Sequence, residues 1–219
     1  MKPLVVVYTA IFGNYDTLRD QPRNPRVVYR CYGDIPQPSS TWKFVAQKRK
    51  QPTIQLDARL YKIISQHIVT DCWYSIWLDA NNMLWDDPVR ICEKWLANAD
   101  IALFKHPHRS CVYEELKACI RYKKDDPQIM HKQVERYAAE GYPKNNGLYS
   151  TGFIARRNTP KVKKFNELWW GEVKTSSHRD QLSFPYVAWK TGIKVQGLPG
   201  NARDIVNIQF PHRPYKGRR

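Results

Sequence analysis

The segment SIWLDANN, residues 75–82, sets polar side chains directly after a hydrophobic run. Residues i and i+2 of an extended chain point the same way, so Asp79 and Asn81 are expected to face one ligand together. Carboxylate and amide oxygens bind Mn²⁺ or Mg²⁺, and such a cation would offset charge developing on a departing diphosphate. The pattern therefore predicts a divalent metal site at Asp79 and Asn81, with His212 as a further ligand. An ordinary turn at the end of a strand is the alternative.

Three basic side chains are candidates for binding phosphate. Arg59 and Lys62 lie three residues apart in a predicted helix over residues 57–69, and therefore on one face of it. Arg59 is near the N-terminus of that helix, where the helix dipole also favours anions. Lys105 begins the basic segment KHPHR, directly after a predicted strand. We expect Arg59 and Lys62 to contact a diphosphate donor or an acid such as Asp79. Lys105 is expected to contact the donor or the acceptor. A solvated basic surface is the alternative for all three.

Two segments that contain glycine are candidates for seating the rest of a donor. Residues 8–16, YTAIFGNYD, carry Thr9, Tyr15 and Asp16 at the end of the first predicted strand. Tyr15 is expected to stack on a base, and Thr9 and Asp16 to hold the nucleotide. In GLYSTGF, residues 147–153, small residues would let the backbone approach a sugar closely, so Thr151 and Gly152 are predicted contacts. A plain turn and a β-bulge are the respective alternatives.

The segment SSHRDQ, residues 176–181, opens the last predicted helix. Asp180 is a candidate general base for an acceptor hydroxyl, or an anchor for hydroxyls of the donor sugar. Gln181 is expected to help orient that sugar. An acidic residue at a helix start also has a purely structural explanation, because carboxylates there interact favourably with the helix dipole.

Short β-rich runs alternate with longer amphipathic runs along the chain, which is typical of an α/β sheet flanked by helices. Strands are predicted at residues 4–8, 27–31, 42–46, 74–78, 101–104, 148–155 and 193–195, and helices at residues 57–69, 114–122, 127–140 and 177–189, with further helices opening at Asp87-Pro88 and Thr159-Pro160. Ligands of such sheets bind outside the carboxyl ends of the strands, where the candidate residues fall. We expect one domain over residues 1–200 and a basic tail over residues 201–219.

The charge balance is the most unusual bulk property of the chain. Lys and Arg total 36 against 20 Asp and Glu, a net charge of +16 over 219 residues. Such an excess favours a polyanionic partner, with nucleic acid first and anionic membrane or glycan second. The five cysteines form no CxxC pair, which disfavours a zinc ribbon or disulfide framework and indicates buried thiols. No apolar run approaches the roughly 20 residues of a membrane helix and no signal peptide is evident, so a cytoplasmic location is expected.

Several segments together resemble a known family. YTAIFGNYD, ARLYK, SIWLDAN, GLYSTGFIARRN and SSHRDQLSFPYVAWK are similar to small hexosyltransferase-like proteins, which include plant proteins implicated in mucilage synthesis and bacterial and phage members. The resemblance implies a GT-A-like fold, which is a Rossmann-like mixed, mostly parallel sheet, with a nucleotide-sugar donor and a DxD-type metal motif. Asp79-Ala80-Asn81 fills that motif with a departure at its third position. The resemblance also assigns a role beside the donor sugar and acceptor to Asp180, and more weakly to His178.

These observations lead us to expect a metal-dependent hexosyltransferase that uses a nucleoside diphosphate sugar as its donor. UDP-hexose is the favoured donor. The enzyme would act in the cytoplasm, or in the host cytoplasm for a phage protein. The net charge suggests DNA carrying a hydroxylated base as the acceptor, and such a base would have to be flipped out of a duplex. Two alternatives stay open. One is a transferase acting on a surface glycan or lipid-linked sugar, and the other is a non-catalytic nucleic-acid-binding protein.

Overall fold

The computed structural model describes residues 4–199 and the backbone of residues 206–209. The strands are β1 Val5–Ile11, β2 Val27–Gly33, β3 Lys43–Ala46, β4 Tyr74–Leu78, β5 Asn82–Leu84, β6 Ile101–Lys105, β7 Tyr149–Arg157, β8 Val195–Leu198 and β9 Val206–Gln209. The helices are α1 Ile54–Ile63, α2 Ser65–Ile68, α3 Pro88–Trp95, α4 Val112–Arg121, α5 Pro127–Ala139, α6 Pro160–Thr175 and α7 Asp180–Thr191.

Seven strands form one sheet in the order β3-β2-β1-β4-β7-β6-β8. β7 runs antiparallel to its neighbours β4 and β6, whereas the other neighbouring strands are parallel. β5 and β9 form a separate antiparallel pair. The mixed, mostly parallel sheet with helices on both faces confirms the predicted α/β, GT-A-like class.

The sheet has a hydrophobic core on each face. All seven residues of β1 are buried. Val6 and Tyr8 pack into a cluster with α1, α4, α5, α6 and α7, whereas Val5 and Val7 pack with α3 on the opposite face. A central strand covered on both sides needs apolar residues at successive positions, which explains the uninterrupted hydrophobic run near the start of the chain.

The candidate residues gather at one edge of the sheet. The parallel strands β1, β4 and β6 all end there, and the antiparallel strand β7 begins there. The backbone N–H of Asp79, just after β4, donates to the carbonyl of Gly152 at 2.9 Å. The pairing of β6 with β7 shifts from Ala102 opposite Ala155 to Phe104 opposite Ser150, so β7 bulges between these positions. A bulge redirects side chains, and here it falls between Ser150 and Ala155, the segment that contains Thr151 and Gly152.

Several boundaries in the N-terminal half differ from the sequence prediction. β1 continues to Ile11 because it pairs along its whole length with β2, which places Thr9 inside the strand. α1 begins at Ile54, earlier than predicted, because the Thr53 hydroxyl accepts from the backbone N–H of Leu56 at 3.2 Å. The predicted single helix ends at Ile63, and the short helix α2 follows.

Two predictions in the C-terminal half are also corrected. Ser177 does not cap α7, because the helix begins at Asp180 with Arg179 as its N-cap residue. The Ser177 hydroxyl instead donates to Oδ2 of Asp125 at 2.6 Å. The strand expected at residues 193–195 is β8, which lies slightly later because it pairs in register with β6.

The predicted state of the cysteines is confirmed. All five thiols are free and buried. Within residues 4–199, the helices are too short or too polar to cross a bilayer.

Candidate functional site

A buried ion pair joins two helices at the carboxyl edge of the sheet. Nζ of Lys62, in the last turn of α1, lies 2.7 Å from Oδ2 of Asp180, the first residue of α7. The Thr151 hydroxyl lies between them, accepting from Lys62 Nζ at 3.2 Å and donating to Asp180 Oδ2 at 3.1 Å. All three residues are buried. Two helix ends and the bulge of β7 thus place a lysine, a hydroxyl and a carboxylate in mutual contact.

Asp79 lies beside this cluster at the end of β4. Its Oδ1 atom accepts a hydrogen bond from the indole N–H of Trp77 at 2.7 Å and lies 3.8 Å from Lys62 Nζ. Trp77 packs on the sheet face that α1 and α7 cover, and alternation along the strand points Asp79 to that same face. The side chain of Asp79 keeps 32% of its surface exposed, so this carboxylate is open to a ligand.

The electrostatic field keeps Asp180 ionised. Burial alone raises the pKa of this carboxyl, but Lys62, Arg59 and Arg179 lower it by more, so the net pKa lies well below its ordinary value of 3.8. Asp180 is therefore a stable anion at neutral pH.

Arg59 adds a second cation from the same face of α1. It is half-buried, and one guanidinium nitrogen donates to the carbonyl of Gln55 at 3.4 Å. The Nε atom of Arg59 is buried without a hydrogen-bond partner among the described residues. Arg59 and Lys62 thus share one face of α1, as helical spacing predicts, and both cations lower the pKa of Asp180.

His178, two residues before α7, is held in place by the carboxylate of Asp125. Its Nδ1 lies 2.8 Å from Oδ2 of Asp125, which also accepts from the His178 backbone N–H at 2.9 Å. Burial lowers the pKa of His178 below its ordinary 6.5, Asp125 raises it and Arg59 lowers it, with a net lowering. The imidazole is therefore neutral at pH 7. With Nδ1 donating to Asp125, Nε2 is left as a hydrogen-bond acceptor.

The remaining predicted donor contacts lie at several places along the edge. Thr9 is fully buried inside β1, and its hydroxyl has no hydrogen-bond partner among the described residues. In the loop after β1, Tyr15 is 48% exposed whereas Asp16 is buried and accepts from the Thr17 backbone N–H at 2.9 Å. Tyr15 is therefore accessible for stacking on a base, whereas Thr9 and Asp16 are buried.

Lys105 and Gln181 are the last two predicted donor-binding residues, at the end of β6 and in the first turn of α7. Lys105 is exposed at the end of β6. The amide of Gln181 donates to the carbonyl of Tyr149 at 3.3 Å and accepts from Arg179 at 2.8 Å. Gln181 is therefore held by the first residue of β7 and by the residue before Asp180.

The metal prediction rests on Asp79 and its surroundings. Among residues 4–199, no three His, Cys, Asp or Glu side chains gather in a cation-binding group. Asn81 is buried, and His212 lies outside the described residues. A Cβ atom on Gly152 would lie only 3.1 Å from Oδ2 of Asp79, so the glycine keeps space clear beside that oxygen. Oδ2 of Asp79 thus has open space beside it. A single carboxylate oxygen of this kind fits a small cation that takes its other ligands from a bound diphosphate.

A sizeable cavity lies away from these residues. It measures about 830 Å³ and is formed by β2, β3, α1 and α2, with Tyr32, Phe44 and Tyr61 in its wall. Its lining includes none of the predicted site residues. We therefore locate the candidate site by the convergence of charged side chains rather than by cavity size.

Three residues of the site were not predicted from the sequence. Trp77 could have been predicted from strand alternation, because it lies two positions before Asp79 and therefore points to the same face of the sheet. For Arg179 the sequence offered a weaker indication, namely a positive charge directly before Asp180 in the chain. For Asp125 it offered none, since only the packing of α4, α5 and α7 brings it to His178.

Comparison with known proteins identifies related sequences. The model of the TOD1/MUCI70 glycosyltransferase-like domain matches residues 37–201. "Probable hexosyltransferase MUCI70" of Arabidopsis thaliana is 29% identical over 148 residues, covering 63% of this chain and 26% of that protein. "Alkaline ceramidase TOD1" of the same plant is 26% identical over 161 residues, covering 67% of this chain and 35% of that protein. The chain thus matches between 26% and 35% of the length of these relatives, whose names indicate different activities.

A solved structure is also similar in outline. The apo crystal structure of mouse xyloside xylosyltransferase 1 aligns with a TM-score of 0.44 at 10% identity, covering 89% of this chain and 84% of that one. The family match is the stronger finding, because residues 37–201 are most of a 219-residue chain. The chain, with its charged cluster at the carboxyl edge of a mixed sheet, belongs to the TOD1/MUCI70 glycosyltransferase-like domain family.

Proposed function

We propose that this domain transfers a hexose from a nucleoside diphosphate sugar to a hydroxyl group of a polyanionic acceptor. The donor that we favour is a UDP-hexose. The observation that carries the proposal is the buried contact of Lys62 with Asp180 beside the accessible carboxylate of Asp79. Family membership supports the reaction class. The cytoplasmic location expected from the sequence stays a prediction.

The cations of α1 support binding of the diphosphate. Lys62 and Arg59 bring two positive charges to the site, and Arg179 adds a third close to Asp180. Preorganised cations in a water-poor site stabilise a departing diphosphate at little reorganisation cost. The buried, unpartnered Nε of Arg59 is available to donate to a phosphate oxygen.

A divalent cation, Mn²⁺ or Mg²⁺, is proposed at Asp79, with Asn81 and His212 as its further ligands. When bound there, such a cation would supply positive charge to offset the charge of the departing diphosphate. Trp77 fixes one oxygen of Asp79 and Gly152 leaves space beside the other, so the chain orients this carboxylate before any ligand arrives.

Asp180 is better suited to hold sugar hydroxyls than to abstract a proton. A general base works best when its pKa lies near the operating pH, whereas the pKa of Asp180 is lowered far below it. An ionised carboxylate close to the sugar ring also stabilises positive charge that develops there in the transition state. Of the two roles predicted from the sequence, the anchoring role is therefore the one we propose.

His178 is the group we propose as general base. Its neutral imidazole donates through Nδ1 to Asp125, so Nε2 can accept the proton of an acceptor hydroxyl. A base oriented by a carboxylate follows the same logic as the base of a hydrolytic triad. The lowered pKa of His178 keeps this nitrogen unprotonated at neutral pH.

The acceptor is proposed from charge. The net charge of +16 exceeds what one diphosphate requires and supports a polyanion. DNA with a hydroxylated base is the acceptor we favour, and an acidic surface glycan or lipid-linked sugar is the alternative.

Release of nucleotide tests the reaction class directly. The chain is incubated with UDP-glucose or UDP-galactose and Mn²⁺, and free UDP is measured with and without hydroxymethylated DNA or an acidic oligosaccharide. UDP release that is lost in Asp180→Asn supports a transferase, and stimulation by one acceptor identifies its class. DNA binding without UDP release from any donor favours a non-catalytic binder. Release of fatty acid from ceramide instead would favour the activity named for the second relative.

A further inference from the structure

A small cationic cavity adjoins the candidate site on the side of α4. It measures about 130 Å³ and lies between α4, the loop after β6 and the start of α7. Its wall includes Arg179 and Gln181, the two residues that flank Asp180 in the chain. The cavity therefore opens next to the carboxylate that we propose to hold the sugar.

The charges lining this cavity are predominantly positive. Three cations, Arg109, Lys124 and Arg179, face one carboxylate, Glu115. Glu115 is already neutralised, because its Oε2 accepts from Nε of Arg109 at 2.6 Å. Two positive charges are left over in the lining.

Arg179 contributes to the field that lowers the pKa of Asp180, but among the described residues neither Arg179 nor Lys124 forms a direct ion pair with a carboxylate. Arg179 donates to the neutral amide of Gln181, and its Nε is buried without a hydrogen-bond partner among the described residues. Lys124 is exposed, and the described part of the chain provides no carboxylate within ion-pair distance of it. A buried guanidinium nitrogen without an acceptor is costly unless a ligand supplies one.

The volume limits what the cavity can hold. A cavity of about 130 Å³ equals the liquid volume of roughly four water molecules. Whole small-molecule ligands usually occupy pockets of about 300–1,000 Å³. The space therefore suits one anionic group rather than a complete nucleotide or sugar.

The outer rim continues the positive charge. Tyr122 lines the cavity and is 61% exposed, and its neighbours in the chain are Arg121, Lys123 and Lys124. The Arg121 guanidinium lies 5.7 Å from the centre of its ring. A basic rim around an exposed aromatic ring is suited to a charged chain that passes over the surface.

We infer that this cavity is an anion subsite for the acceptor, which binds a phosphate or carboxylate group next to the hydroxyl that receives the hexose. Lys124 and Arg179 contact the anionic group. The inference rests on the proposed function for the identity of the reaction, whereas the binding of an anion can be measured without it.

Calorimetric titration with inorganic phosphate, glucuronate and glucose tests the subsite. Phosphate or glucuronate should bind the wild-type chain and glucose should not. Lys124→Gln should weaken that binding about fivefold, the upper range for an exposed ion pair. Lys124→Glu should weaken it further, because it replaces attraction with repulsion. Lys132→Gln, which removes another exposed positive charge, from α5, should leave binding unchanged and serves as the control.

Two outcomes would overturn the inference: affinity that is equal in wild type and in both Lys124 variants, or equal losses in Lys124→Gln and Lys132→Gln. A stronger effect with phosphate points to a nucleic acid or phospholipid acceptor, and one with glucuronate to an acidic glycan. UDP release without acceptor is measured in parallel in wild type and in Lys132→Gln, where it should be equal. Its absence in wild type would count against the transferase reaction alone, since anion binding is scored separately.

Discussion

Nζ of Lys62 lies 2.7 Å from Oδ2 of Asp180, and both side chains are almost completely withdrawn from solvent. This pair joins the end of α1 to the start of α7 above the edge of the sheet. It holds in place the two groups that we propose to act on the diphosphate and on the sugar.

Breaking this pair from one side should destabilise the fold. Lys62→Met leaves a buried carboxylate without its partner, and we expect a loss of about 3–5 kcal/mol in the free energy of unfolding. The double variant Lys62→Met/Asp180→Asn should recover much of this loss, because no buried charge is left unpaired. Urea denaturation of the wild type, both single variants and the double variant measures the coupling. Additive losses would show that the two side chains do not interact.

The same pair has a defined pH dependence. The pKa of Asp180 is lower in the folded chain than in the unfolded one, so its contribution to stability is complete at neutral pH. That contribution is lost only as the pH falls below the ordinary range of an aspartate. In Asp180→Asn the corresponding part of the acid transition should be absent.

Asp79 should control the requirement for metal. Asp79→Asn is expected to raise the Mn²⁺ concentration for half-maximal UDP release about tenfold or more, because a neutral amide is a weaker ligand than a carboxylate. Asp86→Asn is the matched control, since the Asp86 side chain is similarly accessible, 34% against 32%, and pairs with Arg90 instead. A wild-type rate that persists in EDTA would contradict the metal proposal.

Gly152 should be needed for the space beside Asp79. Its added Cβ in Gly152→Ala would lie 3.1 Å from Asp79 Oδ2, so that oxygen must shift. We expect kcat/KM to fall about tenfold or more, because small misplacements of reacting groups are costly.

A second glycine provides the control for this substitution. A Cβ on Gly171, inside α6, meets nothing within 4 Å, so Gly171→Ala should keep activity and add about 0.5–1 kcal/mol of stability. Equal activity of the two alanine variants would show that the space beside Asp79 is not used.

His178 should set the acid limb of the pH–rate profile. The neutral imidazole is the active form of a base, so activity falls as the pH drops through the pKa of His178, which lies below 6.5. Asp125 raises that pKa, so Asp125→Asn should move the limb to still lower pH. His178→Gln should reduce the rate about 100-fold or more. A limb that stays in place in Asp125→Asn would exclude His178 as its source.

The sequence by itself determined the class of fold and the strand that carries Asp79. Hydrophobic runs of strand length alternate with amphipathic helices, and this alternation permits few arrangements other than a flanked, mostly parallel sheet. The positions of Arg59 and Lys62 on one helix face followed from helical geometry. Strand geometry also gives Trp77 the direction of Asp79, although Trp77 was not among the predicted residues. These are local relationships, which backbone periodicity fixes.

Only the tertiary structure decided which of the candidates meet. Lys62, Thr151 and Asp180 come from distant parts of the chain, and their contact depends on how α1, β7 and α7 pack at one edge. The bulge of β7 and the pairing of Asp125 with His178 likewise arise from long-range packing. The field of the surrounding cations then lowers the pKa of Asp180, a property that depends on distances between side chains and so cannot be read from their order in the chain.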